Sequence, residues 1–467
     1  MPGIHDAHMH LLYSGLALTS DANIGFDTTS TTIGAKIKEA GCACHYVNAY
    51  QDWIMAEMYN NEGFPGGIAD RKYLDEMFPD RPVAVLGGAG HSKLLNTAAL
   101  KRAGYDIENE PDIPGGKFFR RPDGSLIGEL GEAAMTKANV SMPFPSLSHI
   151  KRTLRFAIQV AHRSGVMSCQ EASANTLILH ALKELEDEGK LNMDISTHIV
   201  YGPEFIAHEK KESLLKLLDA ADKFKSKHVD TRFVKIILDG VPLPPLHTHC
   251  ALDANGQPDE DKIIVKDVAE AVAKYDERGM TLKIHCTGHG STRMALDAIK
   301  AARNKNPKGP RHEIAHNSDV HDDEYPRYKA LNVTAEMLPA LFFVHPFTAS
   351  SGGLMDWNFT KMMEANAHIT IGSDWGAAPD PSLFAPLANI VETVGRGSKE
   401  KGGEILCRML TRHGAEAVGR ETEAGSIEIG KKANFIVMDR DLSKGEFGGA
   451  NVLRTYFEGE CVWEKDA

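Results

Sequence analysis

The sequence predicts a (β/α)8 TIM barrel, an α/β fold in which eight parallel strands alternate with helices around a closed cylinder. From residue 160 onward, short apolar runs alternate with amphipathic helical stretches, as in parallel strands joined by crossover helices. One more apolar run at the start of the chain brings the strands to eight, the number that closes a barrel. The 467 residues accommodate such a barrel, which takes about 250 residues, together with large additions.

The first strand is predicted over residues 3–8, and seven more follow the long segment after it. They span residues 165–171, 194–200, 232–239, 281–286, 312–316, 332–336 and 368–373. Helical patterns lie between or after them, at 212–225, 265–277, 291–303 and 383–394. Barrel enzymes carry their catalytic residues at the C-terminal ends of the strands, so candidate functional side chains are expected there.

We assign residues 1–420 to the barrel domain, with a large insertion at about 13–150 between the first and second strands. Within the insertion, helical patterns span 31–39 and 94–102, and strand-like runs span 44–49 and 82–86. Residues 111–128 are rich in Pro and Gly and predict a loop or hairpin. An insertion is preferred to two extra barrel strands because the order of the candidate metal ligands fixes the numbering of the later strands.

The tail, residues 421–467, differs from the barrel. Short β runs at 425–431, 433–439 and 452–463 are separated by turn residues. They predict a small β unit, part of a sandwich, packed beside the barrel.

Composition excludes several classes of partner. The net charge is −12 and Lys and Arg are not clustered, so neither nucleic acid nor an anionic membrane is expected as a partner. No apolar stretch of about 20 residues could span a membrane, and no signal peptide precedes the first strand. The seven scattered cysteines favour a reducing, cytoplasmic location over a disulfide framework. The expected partner is a small-molecule substrate, and a homodimer is left open.

The first candidate motif is the pair His8 and His10 at the end of the first strand. Side chains alternate between the two faces of a strand, so these two imidazoles point the same way and could hold one metal ion. A single such pair also arises by chance in a chain with 21 histidines. A polar strand end is therefore the alternative interpretation.

Later strand ends strengthen the metal interpretation. The fifth, sixth and eighth predicted strands end in or next to His285, His316 and Asp374. Each histidine alone could be a buried core residue, but five such residues in this order predict a site for one or two divalent metal ions. Zn²⁺ suits this His and carboxylate set best, and Mn, Fe or Co could also occupy it.

The fourth predicted strand contains a single lysine, Lys235, within an apolar run. A lysine there is unfavourable unless it is paired or chemically changed. Pairing with Glu171 or Asp239 in the barrel mouth is one explanation.

Several segments together resemble the amidohydrolase superfamily and, within it, the amidohydrolase-3 group of YtcJ-like and N-substituted formamide deformylase-like proteins. The segments are residues 2–11, 90–100, 123–129, 234–240, 285–288, 372–375 and 425–439. The resemblance covers nearly the whole chain, and the ordered set is specific although each piece alone is not.

The resemblance implies a ligand set. His8 and His10 would bind one metal, His285 and His316 a second, and Lys235, carboxylated by carbon dioxide, would bridge them. Asp374 would lie beside the metal-bound water and, with His316, form the catalytic centre. Glu129 or Glu132 is the less favoured bridging ligand, because both lie in the insertion.

The reaction implied is hydrolysis of a carbon–nitrogen bond other than a peptide bond. A metal-bound hydroxide would attack the carbonyl carbon of an amide, an N-substituted formamide or a cyclic amide or imide. Asp374 would take the water proton as general base and return it to the leaving nitrogen as general acid. Two alternatives stay open: a metal-dependent decarboxylase on the same barrel, and a catalytically silent binding or regulatory protein.

The chain departs from the family pattern in three places. Ala315 stands where the family has a Glu, and Gly288 is followed by His289 where the family has Asp. These departures affect the substrate class more than the metal ligands. The family also carries β-strands before its first histidine pair, so the tail sandwich is expected to be incomplete.

Candidate substrate contacts lie in the insertion and in the loops at the barrel mouth. His91 and Asn96 follow a glycine in the insertion, although Asn96 could instead cap a helix. His249 lies in a proline-rich loop after the fourth strand. Its side chain is expected in the substrate pocket or on the surface rather than on a metal. His289 and Trp375 complete the predicted set.

Overall fold

The computed structural model describes residues 1–43, 49–87, 90–343 and 357–465, and it contains the predicted barrel. Eight parallel strands form one sheet in the order β1-β8-β9-β10-β11-β12-β13-β14, where strands are numbered along the chain. They are β1 (Ile4–Met9), β8 (Val166–Ala174), β9 (Asp194–Gly202), β10 (Val229–Ile237), β11 (Thr281–Cys286), β12 (Glu313–His316), β13 (Thr334–Met337) and β14 (His368–Ile371). The prediction of an eight-stranded barrel is confirmed.

The ends of the sheet meet and nearly close the cylinder. Met9 pairs in parallel with Trp375, just beyond β14. The Asp374 backbone N–H donates to the His8 carbonyl at 2.8 Å, and the His10 N–H donates to the Trp375 carbonyl at 2.9 Å. We call this contact between β1 and residues 373–375 the closing seam.

Helices cover the outside of the barrel, as crossover connections require. They are α6 (Leu147–Arg163), α7 (Thr176–Asp187), α8 (Glu204–Ala207), α9 (Lys211–Asp219), α10 (Val268–Glu277), α11 (His289–Lys305), α12 (Tyr325–Ala330), α13 (Pro339–Phe343), α14 (Phe359–Glu364), α15 (Phe384–Val394), α16 (Lys399–Leu410) and α17 (Arg412–Ala417). Side-chain caps fix several helix starts: Asn175, for example, accepts a hydrogen bond from the Ile178 N–H.

Burial explains why the sequence identifies these strands. Every residue of β1, β9 and β11 is buried, because parallel strands are covered on both faces and therefore form near-continuous apolar runs. The charged residues that interrupt these apolar runs lie inside the barrel. Lys235 and Lys283 are among the largest fully buried side chains.

The insertion forms a six-stranded mixed sheet, in the order β2-β3-β4-β5-β7-β6. Its strands are β2 (Ala22–Asn23), β3 (Ile54–Tyr59), β4 (Val83–Gly87), β5 (Ser92–Leu95), β6 (Gly116–Arg120) and β7 (Leu126–Glu132). Its helices are α1 (Leu11–Thr19), α2 (Ile33–Ala43), α3 (Lys72–Asp75), α4 (Thr97–Ala103) and α5 (Thr136–Ser141).

Two local predictions in the insertion need correction or fall outside the structure. The helix predicted at 94–102 begins only at Thr97, because Leu94 and Leu95 belong to β5 and Asn96 caps the helix. The strand predicted at 44–49 lies, except for its last residue, outside the described residues. The hairpin alternative for 111–128 corresponds to β6 and the start of β7.

The tail forms a three-stranded antiparallel sheet of β15 (Phe435–Met438), β16 (Val452–Phe457) and β17 (Glu460–Glu464). Pro2 pairs with Phe435, which adds the first residues of the chain to its edge. Residues 425–431 do not form the predicted strand. Ile427 and Ile429 alternate as in a strand, but both are exposed and have no partner strand in the described sheet.

None of the described helices combines the length and the apolar character that a membrane-spanning helix needs. The predicted domain boundaries at residues 420 and 421 stay predictions.

Candidate metal centre

The barrel mouth opens into a cavity of about 1710 Å³, including space continuous with solvent. All six residues predicted as metal ligands line it: His8, His10, Lys235, His285, His316 and Asp374. The barrel brings them together from β1, β10, β11, β12 and the segment after β14. Their common position follows from parallel strands whose C-terminal ends meet at one end of the barrel.

His8, His10 and Asp374 form the tightest group. Oδ1 of Asp374 lies 3.4 Å from Nε2 of His10 and 3.7 Å from Nε2 of His8. One potential ligand atom from each residue falls within 4.8 Å of the others. Burial lowers the pKa of His8 well below its usual value, so its imidazole is neutral and has a lone pair to offer. Two imidazole nitrogens and a carboxylate converging in this way fit a divalent cation.

A buried carboxylate orients His8. Oε1 of Glu336, on β13, lies 2.5 Å from Nδ1 of His8. Glu336 also contacts the Lys283 ammonium, which lies 3.1 Å from Glu313. Burial raises the pKa of Glu336, and the positive charge of Lys283 opposes that shift. An ionised Glu336 can only accept from Nδ1–H of His8, and this leaves the Nε2 lone pair for the cavity.

His10 has an analogous support. Its Nδ1 lies 2.9 Å from the hydroxyl of Ser173. That hydroxyl donates to Oε1 of Glu171 at 2.8 Å, so it can accept from the Nδ1–H of His10. The Nε2 of His10 therefore also presents its lone pair toward Asp374.

His285 and His316 form a second pair of rings. Their centroids are 4.1 Å apart, and His316 lies 5.2 Å from the ring of His8. Burial lowers the pKa of both well below the usual value, so both are neutral. In addition, His316 and Asp374 have φ angles of 75° and 52°. Such left-handed backbone at a non-glycine residue costs about 1–3 kcal/mol and clusters at functional sites.

Lys235 has a buried amine whose hydrogen-bond partner is an imidazole nitrogen rather than a carboxylate. The residue is 1% exposed, and its Nζ lies 3.3 Å from Nε2 of His8. Burial lowers the pKa of Lys235 to about 8. Among the described residues, no carboxylate oxygen lies within 4.0 Å of this amine.

The two carboxylates proposed as partners of Lys235 are engaged elsewhere. Asp239 accepts the backbone N–H groups of Cys250, Thr287 and Gly288. Glu171 accepts the N–H groups of Leu11 and Ser173. The pairing interpretation of Lys235 therefore does not hold in this structure.

The predicted substrate contacts separate into two groups. His91 lines the cavity; its Nδ1 lies 2.8 Å from Glu132, and its ring lies 5.4 Å from that of His285. Burial disfavours its charged form, but the Glu132 carboxylate raises the pKa of His91 overall.

The structure does not bring the other predicted contacts to the cavity. Asn96 is fully buried as the cap of α4, and its amide donates to the carbonyls of Phe78 and Arg81. Trp375 is 2% exposed and packs in the core. His249 and His289 are absent from the described cavity lining, and His289 lies 2.6 Å from Asp319.

The alternative bridging ligands are also engaged in other contacts. Glu129 accepts from the Tyr59 hydroxyl and the Asn61 amide. Glu132 accepts from the Thr248 hydroxyl and binds His91. Neither lines the cavity in the described part of the chain.

The residues that support the ligands were not predicted from the sequence. Glu336 ends the predicted seventh strand, and Lys283 interrupts the apolar run of the fifth. Like Lys235, both are charged residues within an apolar run that is expected to be buried, so the same pattern could have identified them. Asp6 was also missed. Its Oδ1 accepts the N–H groups of His8 and Ser373, each at 3.0 Å, and so joins the two ligand-bearing strands of the closing seam.

Two curated proteins resemble this chain over nearly its whole length. The chain is 24% identical to N-substituted formamide deformylase of Arthrobacter pascens, over 100% of this chain and 88% of that protein. It is also 24% identical to YtcJ of Bacillus subtilis, a protein named as an amidohydrolase, over 99% of this chain and 89% of that one.

A solved structure shares the fold. An uncharacterized metal-dependent hydrolase from Pyrococcus horikoshii superimposes with a TM-score of 0.69 at 19% identity, covering 96% of this chain and 87% of that one. The model of the amidohydrolase family matches residues 1–463. The predicted resemblance is thereby confirmed, and the chain belongs to the amidohydrolase family.

Proposed function

We propose that this protein is a metal-dependent hydrolase that cleaves the carbon–nitrogen bond of a non-peptide amide, an N-substituted formamide or a cyclic amide or imide. The observation that carries the proposal is the convergence of His8, His10 and Asp374 in the cavity that His285 and His316 also line. The name of the Arthrobacter pascens relative supports a formamide or related amide as substrate.

His8, His10, His285 and His316 would hold one or two divalent ions, with Zn²⁺ the best match to neutral imidazoles and a carboxylate. Such an ion supplies a Lewis acid that polarises a carbonyl oxygen and lowers the pKa of water. The chain contributes the orientation of the ligands. Glu336 and Ser173 hold the Nδ1 protons of His8 and His10, so that both Nε2 atoms face the cavity.

Lys235 is proposed to be carboxylated. Its neutral amine would add to carbon dioxide, forming an N–C bond and releasing one proton, to give a carbamate anion. The position of this amine, next to His8 and without a carboxylate partner, supports this, because the product would be an anionic ligand in a cluster of neutral imidazoles.

Asp374 is the proposed proton carrier. Its Oδ1 faces both His8 and His10, where it can take a proton from water and deliver it to the leaving nitrogen. His316, also in a left-handed backbone conformation, would complete the catalytic centre. His91 is the proposed substrate contact: Glu132 holds its Nδ1, and Nε2 is left to donate to the acyl oxygen.

The test combines metal content with product analysis. Protein purified without chelators or a histidine tag is expected to carry one to two equivalents of a divalent metal, and to release amine and acid from members of an amide, formamide and imide panel. Release of carbon dioxide without amine would instead indicate a decarboxylase. Metal content near zero that added ions do not restore would overturn the proposal.

Asp374→Asn separates catalysis from metal binding. The variant is expected to retain its metal through the four histidines and to lose at least about a hundredfold in kcat, the contribution typical of a general acid–base group. Metal is measured by plasma mass spectrometry and kcat by amine release. Full activity in the metal-loaded variant would eliminate this role for Asp374.

A further inference from the structure

A second polar cluster lies in the cavity wall that the insertion provides. Asp21, Tyr50, Glu57, Lys93 and Asn139 all line the same cavity as the metal-ligand candidates. We call them the insertion cluster. The contacts described above for the ligands and their supporting carboxylates do not involve these residues.

Strand pairing places the charged members on one face of the insertion sheet. Glu57 pairs with Leu86 and Leu86 pairs with Lys93, so these three side chains form a row on the same side. Leu86 also lines the cavity. Asp21 immediately precedes β2, whose Asn23 pairs with Glu57. The row therefore presents a carboxyl pair and an ammonium to the cavity.

These charges do not neutralise one another by direct contact. Lys93 is 6% exposed, and its Nζ donates to Oδ1 of Asn139 at 2.8 Å. Asp21 and Glu57 influence the pKa of Lys93, but neither forms an ion pair with it within 4.0 Å. Oδ1 of Asp21 is buried and accepts no hydrogen bond from the described residues. A structural ion pair would bring these charges into direct contact, whereas here Asp21, Glu57 and Lys93 line the cavity without forming one.

Burial works against separate charges on the two carboxyls of the cluster. Burial, followed by the charge of Asp21, raises the pKa of Glu57 well above its usual value. Burial also raises the pKa of Asp21, an effect that Tyr50 and Glu57 oppose. Burial lowers the pKa of Lys93 to about 8, so most of it stays protonated at neutral pH. Burial of the two carboxyls and the repulsion between them therefore disfavour a second negative charge beside the Lys93 ammonium.

We propose that the insertion cluster is a substrate subsite for an end group that has no net charge and that offers both a hydrogen-bond acceptor and a donor. A carboxamide and the ammonium–carboxylate end of an amino acid share this chemistry. The acceptor would bind Lys93, and the donor would bind Oδ1 of Asp21. The proposal rests on the proposed function, since the scissile bond would lie at the other wall of the same cavity.

The excluded classes follow from the charge balance. An end group with one unbalanced charge would leave a net charge in a cavity with limited access to water, which is unfavourable. An apolar end group would leave Lys93 and Asp21 desolvated without partners, with a similar penalty. Leu16, Met55 and Phe205 also line the cavity and suit an aliphatic spacer.

The experiment measures binding of methyl ketones to the metal-loaded protein by isothermal titration calorimetry. A methyl ketone keeps the carbonyl that faces the metal, but this carbonyl carries no nitrogen leaving group. Each probe carries an alkyl chain, prepared in several lengths, and ends in one of five groups: a methyl, a carboxamide, a carboxylate, an ammonium or an α-amino acid. In the wild-type protein, the carboxamide or the amino acid probe is expected to bind at least about tenfold more tightly than the other three. The order of these two identifies the natural end group.

Variants then change the charge of the cluster. Asp21→Asn should shift the preference by about tenfold toward the carboxylate probe, and Lys93→Met should shift it toward the ammonium probe. The control is Glu129→Gln, a buried carboxyl on β7 of the same sheet. Glu129 pairs with Leu94 and so lies on the face opposite Lys93. This control should leave the order of the probes unchanged.

The outcomes distinguish the two proposals. Equal affinity for all five end groups, or an order that Asp21→Asn leaves unchanged in a folded protein, would overturn the subsite even if amides are hydrolysed. The expected order together with failure to hydrolyse any amide bearing the same end group would support the subsite and count against the proposed reaction. If Lys93→Met fails to fold, the Asp21→Asn arm alone decides.

Discussion

Two buried carboxylates determine which nitrogen of each first-strand histidine faces the cavity. Glu336 contacts Nδ1 of His8 directly, and Glu171 acts on His10 through the hydroxyl of Ser173. A neutral imidazole can carry its proton on either nitrogen, and only the Nδ1–H form presents Nε2 as a ligand. The two carboxylates therefore favour a metal-binding form before any metal arrives.

Glu336→Gln tests this positioning role. The amide can still fill the space, but it accepts a weaker hydrogen bond from His8. We expect metal affinity, measured by chelator competition, to fall about 10–100-fold, with a larger fraction of His8 protonated on Nε2 by ¹⁵N NMR.

Glu313→Gln is the matched control for this change. Glu313 is equally buried and also pairs with Lys283, but it makes no described contact with His8. It should lower stability without changing the His8 tautomer. Equal losses of metal affinity in the two variants would show that Glu336 acts through general packing alone.

Lys235→Ala tests the bridging carbamate. Metal content should fall, and short carboxylic acids should partly restore metal and activity by entering the space left by the side chain. Wild-type protein in ¹³C-bicarbonate should show a carbamate signal. Lys235→Arg is the control, because its guanidinium fills the space and cannot form the carbamate, so acids should not rescue it. Unchanged metal content in Lys235→Ala would eliminate the bridging role.

Strands that are buried on both faces can be predicted from the sequence, whereas short strands that carry charged residues cannot. The barrel strands are identifiable because nearly every residue in them is buried. In the insertion, β5 has only four residues, one of them Lys93, and α4 begins two residues after it. Its apolar residues therefore merge with the helical pattern that follows.

The same reasoning applies to the tail and to the site. Alternating Ile427 and Ile429 resemble a strand, yet no neighbouring strand pairs with them in the described sheet. Ligands at strand ends are predictable, since topology alone brings them together. Their supporting partners are not, because the contact between His8 and Glu336 joins residues 328 positions apart.

Asp276 illustrates how one element supports a strand that carries a ligand. From α10, its carboxylate accepts from Arg303 at 2.6 Å, from Asn306 at 2.8 Å and from His312, directly before β12, at 2.9 Å. Although burial acts in the opposite direction, these hydrogen bonds lower the pKa of Asp276 from 3.8 to about 2.

Asp276→Asn is therefore expected to destabilise the fold by about 1–3 kcal/mol at neutral pH, measured by urea unfolding. Because the pKa of Asp276 is lower in the folded than in the unfolded protein, its ionised carboxylate stabilises the fold at pH values above 3.8. This contribution is lost as the pH falls toward 2. The difference in the free energy of unfolding between Asp276→Asn and the wild-type protein should therefore decrease between pH 3.8 and pH 2. The exposed neighbour Glu277→Gln should change little, and a difference independent of pH would contradict the ionic explanation.

At the scale of the whole molecule, the barrel and the insertion contribute to one cavity. The barrel supplies the metal-ligand candidates, and the insertion sheet supplies His91 and the insertion cluster. In the proposed function the chemistry depends on the strand ends, and in the proposed subsite the choice of substrate depends on the insertion. Substitutions in the insertion cluster should therefore change specificity without removing the metal.

The closing seam gives metal binding a second, structural consequence. The first and last barrel strands are joined by few backbone hydrogen bonds, reinforced by Asp6. Two proposed ligands, His8 and Asp374, lie on opposite sides of this seam, so a bound ion would cross-link it. Because an ion that binds only the folded state stabilises that state, about 4 kcal/mol is expected when free metal exceeds its Kd about a thousandfold.

Removal of the metal by a chelator should therefore lower Tm by several degrees, and re-addition should restore it. Hydrogen exchange should show the greatest loss of protection in β1 and residues 373–375, and much less in the insertion sheet. The control is His8→Ala, which removes the ligand on one side of the seam, so chelator and metal should no longer change the protection of the seam. A uniform loss of protection across the barrel would show that the ion stabilises the fold without cross-linking the seam, and an unchanged Tm would show that no metal binds there.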